Sequence, residues 1–149
     1  MTIEPSGSPE VVRALGSSTP TALAVGDFDA DGAPDLVAGY RTADGGVVTL
    51  TRGNPDAFAP TDLSLYHKAA QGQMPSTFMP TATVYAVPES PDFIATGDFD
   101  RDGYRDVLVG ANGGGLYLYK GRRARKPGRR DPRSAARAGD CAGWNECKG

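Results

Sequence analysis

Two stretches of this chain crowd aspartates around a glycine. The first, GDFDADGAPD, covers residues 26–35, and the second, GDFDRDGYRD, covers residues 97–106. Two like charges about 4 Å apart repel by about 4 kcal/mol at an effective dielectric constant of about 20. A solvated turn rarely needs four carboxylates, whereas a bound cation turns their repulsion into a gain. The residue types and their spacing therefore predict a cation site in each stretch.

The two stretches are copies of one repeat. The frame Gly-Asp-Phe-Asp-x-Asp-Gly-x-x-Asp recurs after 71 positions, from Asp27 to Asp98. The similarity extends upstream, where VRAL at residues 12–15 parallels VYAV at residues 84–87, and downstream, where GGVVTLTRG parallels GGLYLYKG. A repeat of this size is typical of propellers, solenoids and arrays.

The elements that position these loops are predicted to be strands. Short runs of Val, Leu, Thr and Tyr alternate with Gly, Pro, Asp and Ser clusters, and no stretch has a 3.6-residue apolar period over about eleven residues. Residues 71–80 are predicted to be a long connecting loop. The predicted strands are 11–15, 22–25, 36–40, 47–51, 63–66, 83–87, 93–96, 107–111 and 116–119.

Each repeat is thus predicted to contain, in order, a strand, an acidic loop, a strand, a Gly-rich turn and a strand. About four antiparallel strands in roughly 60–70 residues form a propeller blade. The predicted fold class is all-β, with two four-stranded antiparallel blades that form a fragment of a larger β-propeller ring. We assign residues 1–121 to these two repeats and residues 122–149 to a disordered basic tail, which replaces the outer strand of the second repeat.

The repeats resemble those of the FG-GAP and VCBS families, whose blades build the integrin-α-type propeller. The matching pieces are residues 26–37 and 97–108, each followed by a Gly-rich hairpin, and the resemblance covers residues 11–121. It implies a calcium ion in the loop between the first two strands of each blade, and so two Ca²⁺ sites. Because the family closes rings of several blades, further blades or an oligomer partner are expected.

The predicted ligands of each ion are four carboxylates and one backbone carbonyl, since Ca²⁺ takes about six to eight oxygens in irregular geometry. The first set is Asp27, Asp29, Asp31 and Asp35 with the carbonyl of Ala33, and the second is Asp98, Asp100, Asp102 and Asp106 with the carbonyl of Tyr104. Gly32 and Gly103 are predicted to permit the sharp turn. Phe28 and Phe99 are predicted to point into the blade core.

An EF-hand loop begins with a similar Asp-x-Asp-x-Asp-Gly pattern. It needs an acidic bidentate residue at about the twelfth loop position, where this chain has Ala38 and Val109. The flanking runs are also of strand type. The sequence therefore favours a propeller loop over an EF-hand or the related dockerin loop.

The charges of the chain are divided unevenly. Residues 1–120 contain 7 basic and 15 acidic residues, whereas residues 121–149 contain 9 basic and 3 acidic ones. The basic segment is interpreted as a disordered tail or as gene sequence read out of frame, in preference to an arm that binds nucleic acid or an acidic surface. Cys141 and Cys147 either close a small disulfide loop or are free thiols.

Several functional classes have little support in the sequence. No apolar run approaches the length of a membrane span, and the amino terminus has no readable signal peptide. His67 is the only histidine, and no nucleophile elbow, Walker loop or dinucleotide fingerprint occurs, so an enzyme is not predicted.

The resemblance implies an extracellular or cell-surface adhesion or recognition module that binds a protein or a glycan, with structural calcium. The alternative is a non-catalytic propeller or lectin-like portion of a secreted carbohydrate-active enzyme.

Overall fold

The computed structural model describes residues 3–121, which form two β-sheets and three short helices. The predicted tail and both cysteines lie outside the described residues. In chain order the elements are β1 Glu4–Ser6, α1 Pro9–Gly16, β2 Thr19–Gly26, β3 Asp35–Thr42, β4 Gly45–Gly53, α2 Pro55–Phe58, α3 Leu63–Ala70, β5 Phe78–Val87, β6 Phe93–Gly97, β7 Asp106–Gly110 and β8 Leu116–Tyr119.

The first sheet has the order β1-β5-β4-β3-β2 and the second has the order β6-β7-β8. Strands β2 to β5 form a four-stranded antiparallel set, the number predicted for one blade, but its fourth strand is β5 and not the predicted strand at residues 63–66. A fifth strand, β1, was not predicted and runs parallel to β5, with Glu4 opposite Thr81. The prediction of a mostly β fold is confirmed, but the two sheets have five and three strands instead of four each.

Two of the predicted strands are helices. Residues 11–15 lie in α1, so their alignment with the β5 residues 84–87 is wrong, and residues 63–66 lie in α3. Ser8 caps α1 and is followed by Pro9, while the Asp62 side chain caps α3 by accepting a hydrogen bond from the Ser64 N–H at 2.8 Å. Such caps favour helix initiation. Each of the two helices has only 8 residues, too few for an apolar period to be recognised.

The loop predicted for residues 71–80 is shorter than expected, because β5 already begins at Phe78. In the described part of the chain, no helix is long and apolar enough to cross a membrane.

The hydrophobic core lies between the two sheets. Val37 and Leu50 face the same side of the first sheet because they are register partners, and they pack with Val107 and Val109 of the second. Strands β2 and β6 lie side by side, where the Thr96 hydroxyl donates to the Val25 carbonyl at 2.9 Å. Helix α1 packs on the opposite face of β3, β4 and β5. Strand β4 is therefore covered on both faces, and its residues 46–51 are all buried.

Candidate metal centre

Each acidic loop joins the first two strands of its repeat and has the same backbone conformation. The first connects β2 to β3 and the second connects β6 to β7. Gly32 and Gly103 have φ of +90° and +88°, as a sharp turn requires, and Ala30 and Arg101 have φ of +58° and +62°. This left-handed conformation costs a non-glycine residue about 1–2 kcal/mol, and no sequence signal predicted it at residues 30 and 101.

The first aspartate of each loop is held by backbone N–H groups across the turn. The two Asp27 carboxylate oxygens accept from the N–H groups of Asp31 and Gly32 at 3.2 and 3.0 Å. Asp98 makes the same pair of hydrogen bonds in the second loop, both at 3.0 Å. The turn therefore fixes the direction of these carboxylates.

The last aspartate of the first loop has a structural role that sequence reasoning missed. Asp35 is fully buried, and its Oδ2 accepts from the Phe28 N–H at 2.9 Å while its Oδ1 accepts from the Gly53 N–H at 2.8 Å. This carboxylate ties the loop to the end of β4. Glycine is required at residue 53 because an added Cβ would lie 2.6 Å from the Pro34 carbonyl oxygen.

The second repeat has the same arrangement, a buried aspartate that joins its loop to the glycine after the hairpin, and we call this contact the carboxylate clasp. Asp106 is fully buried and accepts from the Phe99 N–H at 2.9 Å and from the Gly121 N–H at 2.8 Å. The only sequence signal for the clasp was the glycine that ends both downstream copies, TRG and YKG.

Three carboxylates converge in each loop. Asp27, Asp29 and Asp35 each offer an oxygen within 4.8 Å of the others, as do the three equivalent residues of the second loop, Asp98, Asp100 and Asp106. The structure thus brings together six of the eight predicted carboxylate ligands.

The third aspartate of each loop is not in these triads. The Asp31 and Asp102 carboxylates accept from the N–H groups of Ala33 and Tyr104 at 2.8 and 2.9 Å. Metal ligation by Asp31 and Asp102, and by the backbone carbonyls of Ala33 and Tyr104, stays a prediction.

The first triad has an oxygen that lacks a donor. Asp29 Oδ1 is buried and has no hydrogen-bond partner within the described residues. Burial raises the pKa of Asp29, the nearby Arg52 guanidinium opposes that rise, and the neighbouring aspartates add to it. A buried carboxylate oxygen without a donor is costly unless a cation or a water meets it. Because the donors are all hard oxygens, they fit a Ca²⁺- or Mg²⁺-type ion.

One basic side chain contacts each triad, and sequence reasoning missed both. Arg52 Nη1 lies 2.6 Å from Asp35 Oδ2 and 3.6 Å from Asp29 Oδ2. In the second loop, Lys120 Nζ lies 2.9 Å from Asp100 Oδ2. The hydrogen bond from Lys120 lowers the pKa of Asp100.

The two motif phenylalanines have different surroundings. Phe28 belongs to the core between the sheets and is 3% exposed, as predicted, whereas Phe99 is 47% exposed, so the prediction for Phe99 is wrong. Both rings pack over the glycine that precedes the loop, Gly26 or Gly97. The second sheet covers Phe28, and nothing among residues 3–121 covers Phe99 in the same way.

Comparison with known proteins gives one match. Residues 90–124 match the family model of the FG-GAP repeat. The matched range contains β6, the second acidic loop, β7 and β8. No curated protein and no solved structure matches the chain.

Proposed function

Because residues 90–124 match the FG-GAP repeat, we propose that this chain is a calcium-binding β-propeller module of an extracellular or cell-surface adhesion or recognition protein. The observation that carries the proposal is the pair of equivalent aspartate triads, each between the first two strands of a repeat. The resemblance to integrin-type propellers supports the extracellular location and a protein or glycan ligand.

Calcium in this proposal is structural. Each pair of carboxylates about 4 Å apart costs about 4 kcal/mol at an effective dielectric constant of about 20, and a bound divalent ion offsets that repulsion. The clasps to Gly53 and Gly121 tie each loop to the far strand of its hairpin. An ion held by Asp27, Asp29 and Asp35, or by their equivalents, therefore stiffens a whole three-stranded unit.

The donor set favours calcium over magnesium. Asp27 and Asp35 are each held by two or more hydrogen bonds, so they have little freedom to rearrange around an ion. Mg²⁺ needs near-octahedral geometry with short bonds and releases its waters reluctantly, whereas Ca²⁺ accepts irregular sets of oxygens. We therefore expect magnesium to bind more weakly.

The two sheets support the propeller assignment through their packing. The inner strands β2 and β6 lie next to each other, and the second sheet covers Phe28. The face of the second sheet that points away from the first sheet exposes Phe93 and Leu116, which are 62% and 68% exposed and have Gly110 between them.

We propose that this open face packs against another sheet of the same kind, supplied by a second copy of the chain. Sedimentation velocity of Phe93→Ser with Leu116→Ser tests this. We expect less self-association than in the wild type, and an equally monomeric wild type contradicts the proposal.

A non-catalytic role is also part of the proposal. The aspartates at both ends of each loop accept backbone hydrogen bonds with both of their oxygens, which makes them anchors of the fold. His67 lies on α3, away in sequence from either loop.

Calorimetric titration of the whole chain with calcium tests the function. We expect two binding events, with Asp29→Asn removing one and Asp100→Asn removing the other. Asp44→Asn, in the turn between β3 and β4, is the matched control and should leave both events unchanged. Absence of calcium binding, together with equal melting temperatures in calcium and in chelator, would overturn the proposal.

A further inference from the structure

Each acidic loop is paired with a basic side chain at the same position of the repeat. Arg52 directly precedes Gly53, and Lys120 directly precedes Gly121. Both glycines donate to the clasping aspartate of their own loop at 2.8 Å. The basic residue is therefore brought to the metal centre by the same contact that anchors the loop.

The two basic residues hold their loops to different extents. Arg52 reaches two members of its triad, and one of them, Asp35, has a fully buried side chain. Lys120 contacts Asp100, whose side chain is 23% exposed, and the lysine side chain itself is 39% exposed. The first loop thus has the more buried ion pair.

We propose that Arg52 and Lys120 are internal cations that compete with calcium for these carboxylates, so that the second site binds calcium more tightly than the first. The inference deepens the proposed function and rests on it. In this inference, Arg52 and Lys120 set the calcium affinity of their own sites and so the order in which the two sites bind calcium.

Competition follows from the atoms that are shared. Asp35 Oδ2 already accepts from both the Phe28 N–H and Arg52 Nη1, so a calcium ion at this oxygen has to displace the guanidinium. A positive charge left within hydrogen-bond distance repels the incoming ion. The planar guanidinium is suited to bridge two carboxylates, whereas the lysine ammonium is a point charge on a flexible stem. Lys120 is therefore the easier of the two to displace.

The same contacts give the internal cations a second effect. Without calcium they offset part of the repulsion among the aspartates, so they stabilise the ion-free loops. Removing the positive charge should lower the melting temperature in chelator and increase the rise in melting temperature that calcium causes. This opposite response in the two conditions distinguishes competition from a purely structural role.

Single-site backgrounds separate the two loops in the experiment. Asp100→Asn leaves the first site and Asp29→Asn leaves the second, and calorimetry with calcium gives the affinity of each. Arg52→Met in the first background should raise affinity about tenfold, because hydrogen bonds to buried charged groups are the stronger class. Lys120→Met in the second should raise it about two- to fivefold, as for an exposed ion pair.

Two further variants keep the result interpretable. Arg52→Gln removes the charge but keeps a donor, and it decides the comparison if Arg52→Met does not fold. Arg41→Met breaks the ion pair between Arg41 and Asp92, 2.8 Å long and outside both loops, and should leave calcium affinity unchanged.

The outcomes distinguish this inference from the proposed function. If none of the chains binds calcium, the proposed function fails and the inference fails with it. If the single-site chains bind calcium but Arg52→Met or Arg52→Gln changes neither affinity nor melting in chelator, the inference alone is overturned. A first site that binds calcium more tightly than the second also overturns it.

Discussion

Replacing Asp35 by Ala should destabilise the protein even when no calcium is present. The change removes the acceptor of two buried N–H groups, those of Phe28 and Gly53. Each buried donor left without a partner costs about 1–3 kcal/mol, so the expected loss is about 2–6 kcal/mol. Proteins are stable by only about 5–15 kcal/mol, so this loss is a large part of the total.

Urea unfolding in the presence of chelator measures this loss without a contribution from metal binding. Asp31→Ala is the matched control, because Asp31 is exposed and, among residues 3–121, its carboxylate accepts a hydrogen bond only from the nearby Ala33 N–H. This variant should cost about 1 kcal/mol or less. Asp106→Ala should cost less than Asp35→Ala, because the Phe99 N–H that it orphans is only partly buried. If Asp35→Ala unfolds at the same urea concentration as the wild type, the stabilising role assigned to the Asp35 carboxylate is wrong.

Two other predictions concern the core and the response to acid. Phe28→Ala should lower the free energy of unfolding by about 3–5 kcal/mol because Phe28 is 3% exposed. Phe99→Ala should lower it much less because Phe99 is 47% exposed. Equal losses in urea unfolding would contradict the fold. The pKa of Asp92 lies below its ordinary value of 3.8, first because the Asn112 N–H donates to it and then because Arg41 and Ser90 do. The ionised Asp92 carboxylate therefore contributes its full stabilisation above pH 3.8, and this is lost as the pH falls through the lower folded-state pKa. The wild type and Asp92→Asn should differ in melting temperature at neutral pH and should have the same melting temperature in strong acid.

Much of the sheet structure could be predicted because each repeat carries its own signals. The acidic loop and the Gly-rich turn mark where the strands end, so seven of the nine predicted strands overlap observed ones. The exceptions, at residues 11–15 and 63–66, are single helices of two turns that depend on their caps at Ser8 and Asp62. Strand β1 has three residues, one of them proline, and only its pairing with β5 defines it.

The clustering of the aspartates could be predicted from the sequence, but the other contacts that their oxygens make could not. Their spacing alone identified the aspartates, because four carboxylates so close to one glycine repel one another unless a cation offsets the repulsion. Spacing could not show that Asp35 also serves as a clasp for Gly53, since that contact joins residues 18 positions apart. Nor could it show that Arg52 contacts the triad, because the register of β3 with β4 sets that approach.

The most direct measurement of the central claim is a crystal structure of the chain grown in calcium chloride, with anomalous scattering used to locate the ions. We expect one calcium ion in each loop, about 2.3–2.6 Å from oxygens of Asp27, Asp29 and Asp35 in the first and of Asp98, Asp100 and Asp106 in the second. The same map would show whether Asp31, Asp102 and the carbonyls of Ala33 and Tyr104 complete the two sites. Loops of the same conformation that bind only water at millimolar calcium would contradict the account.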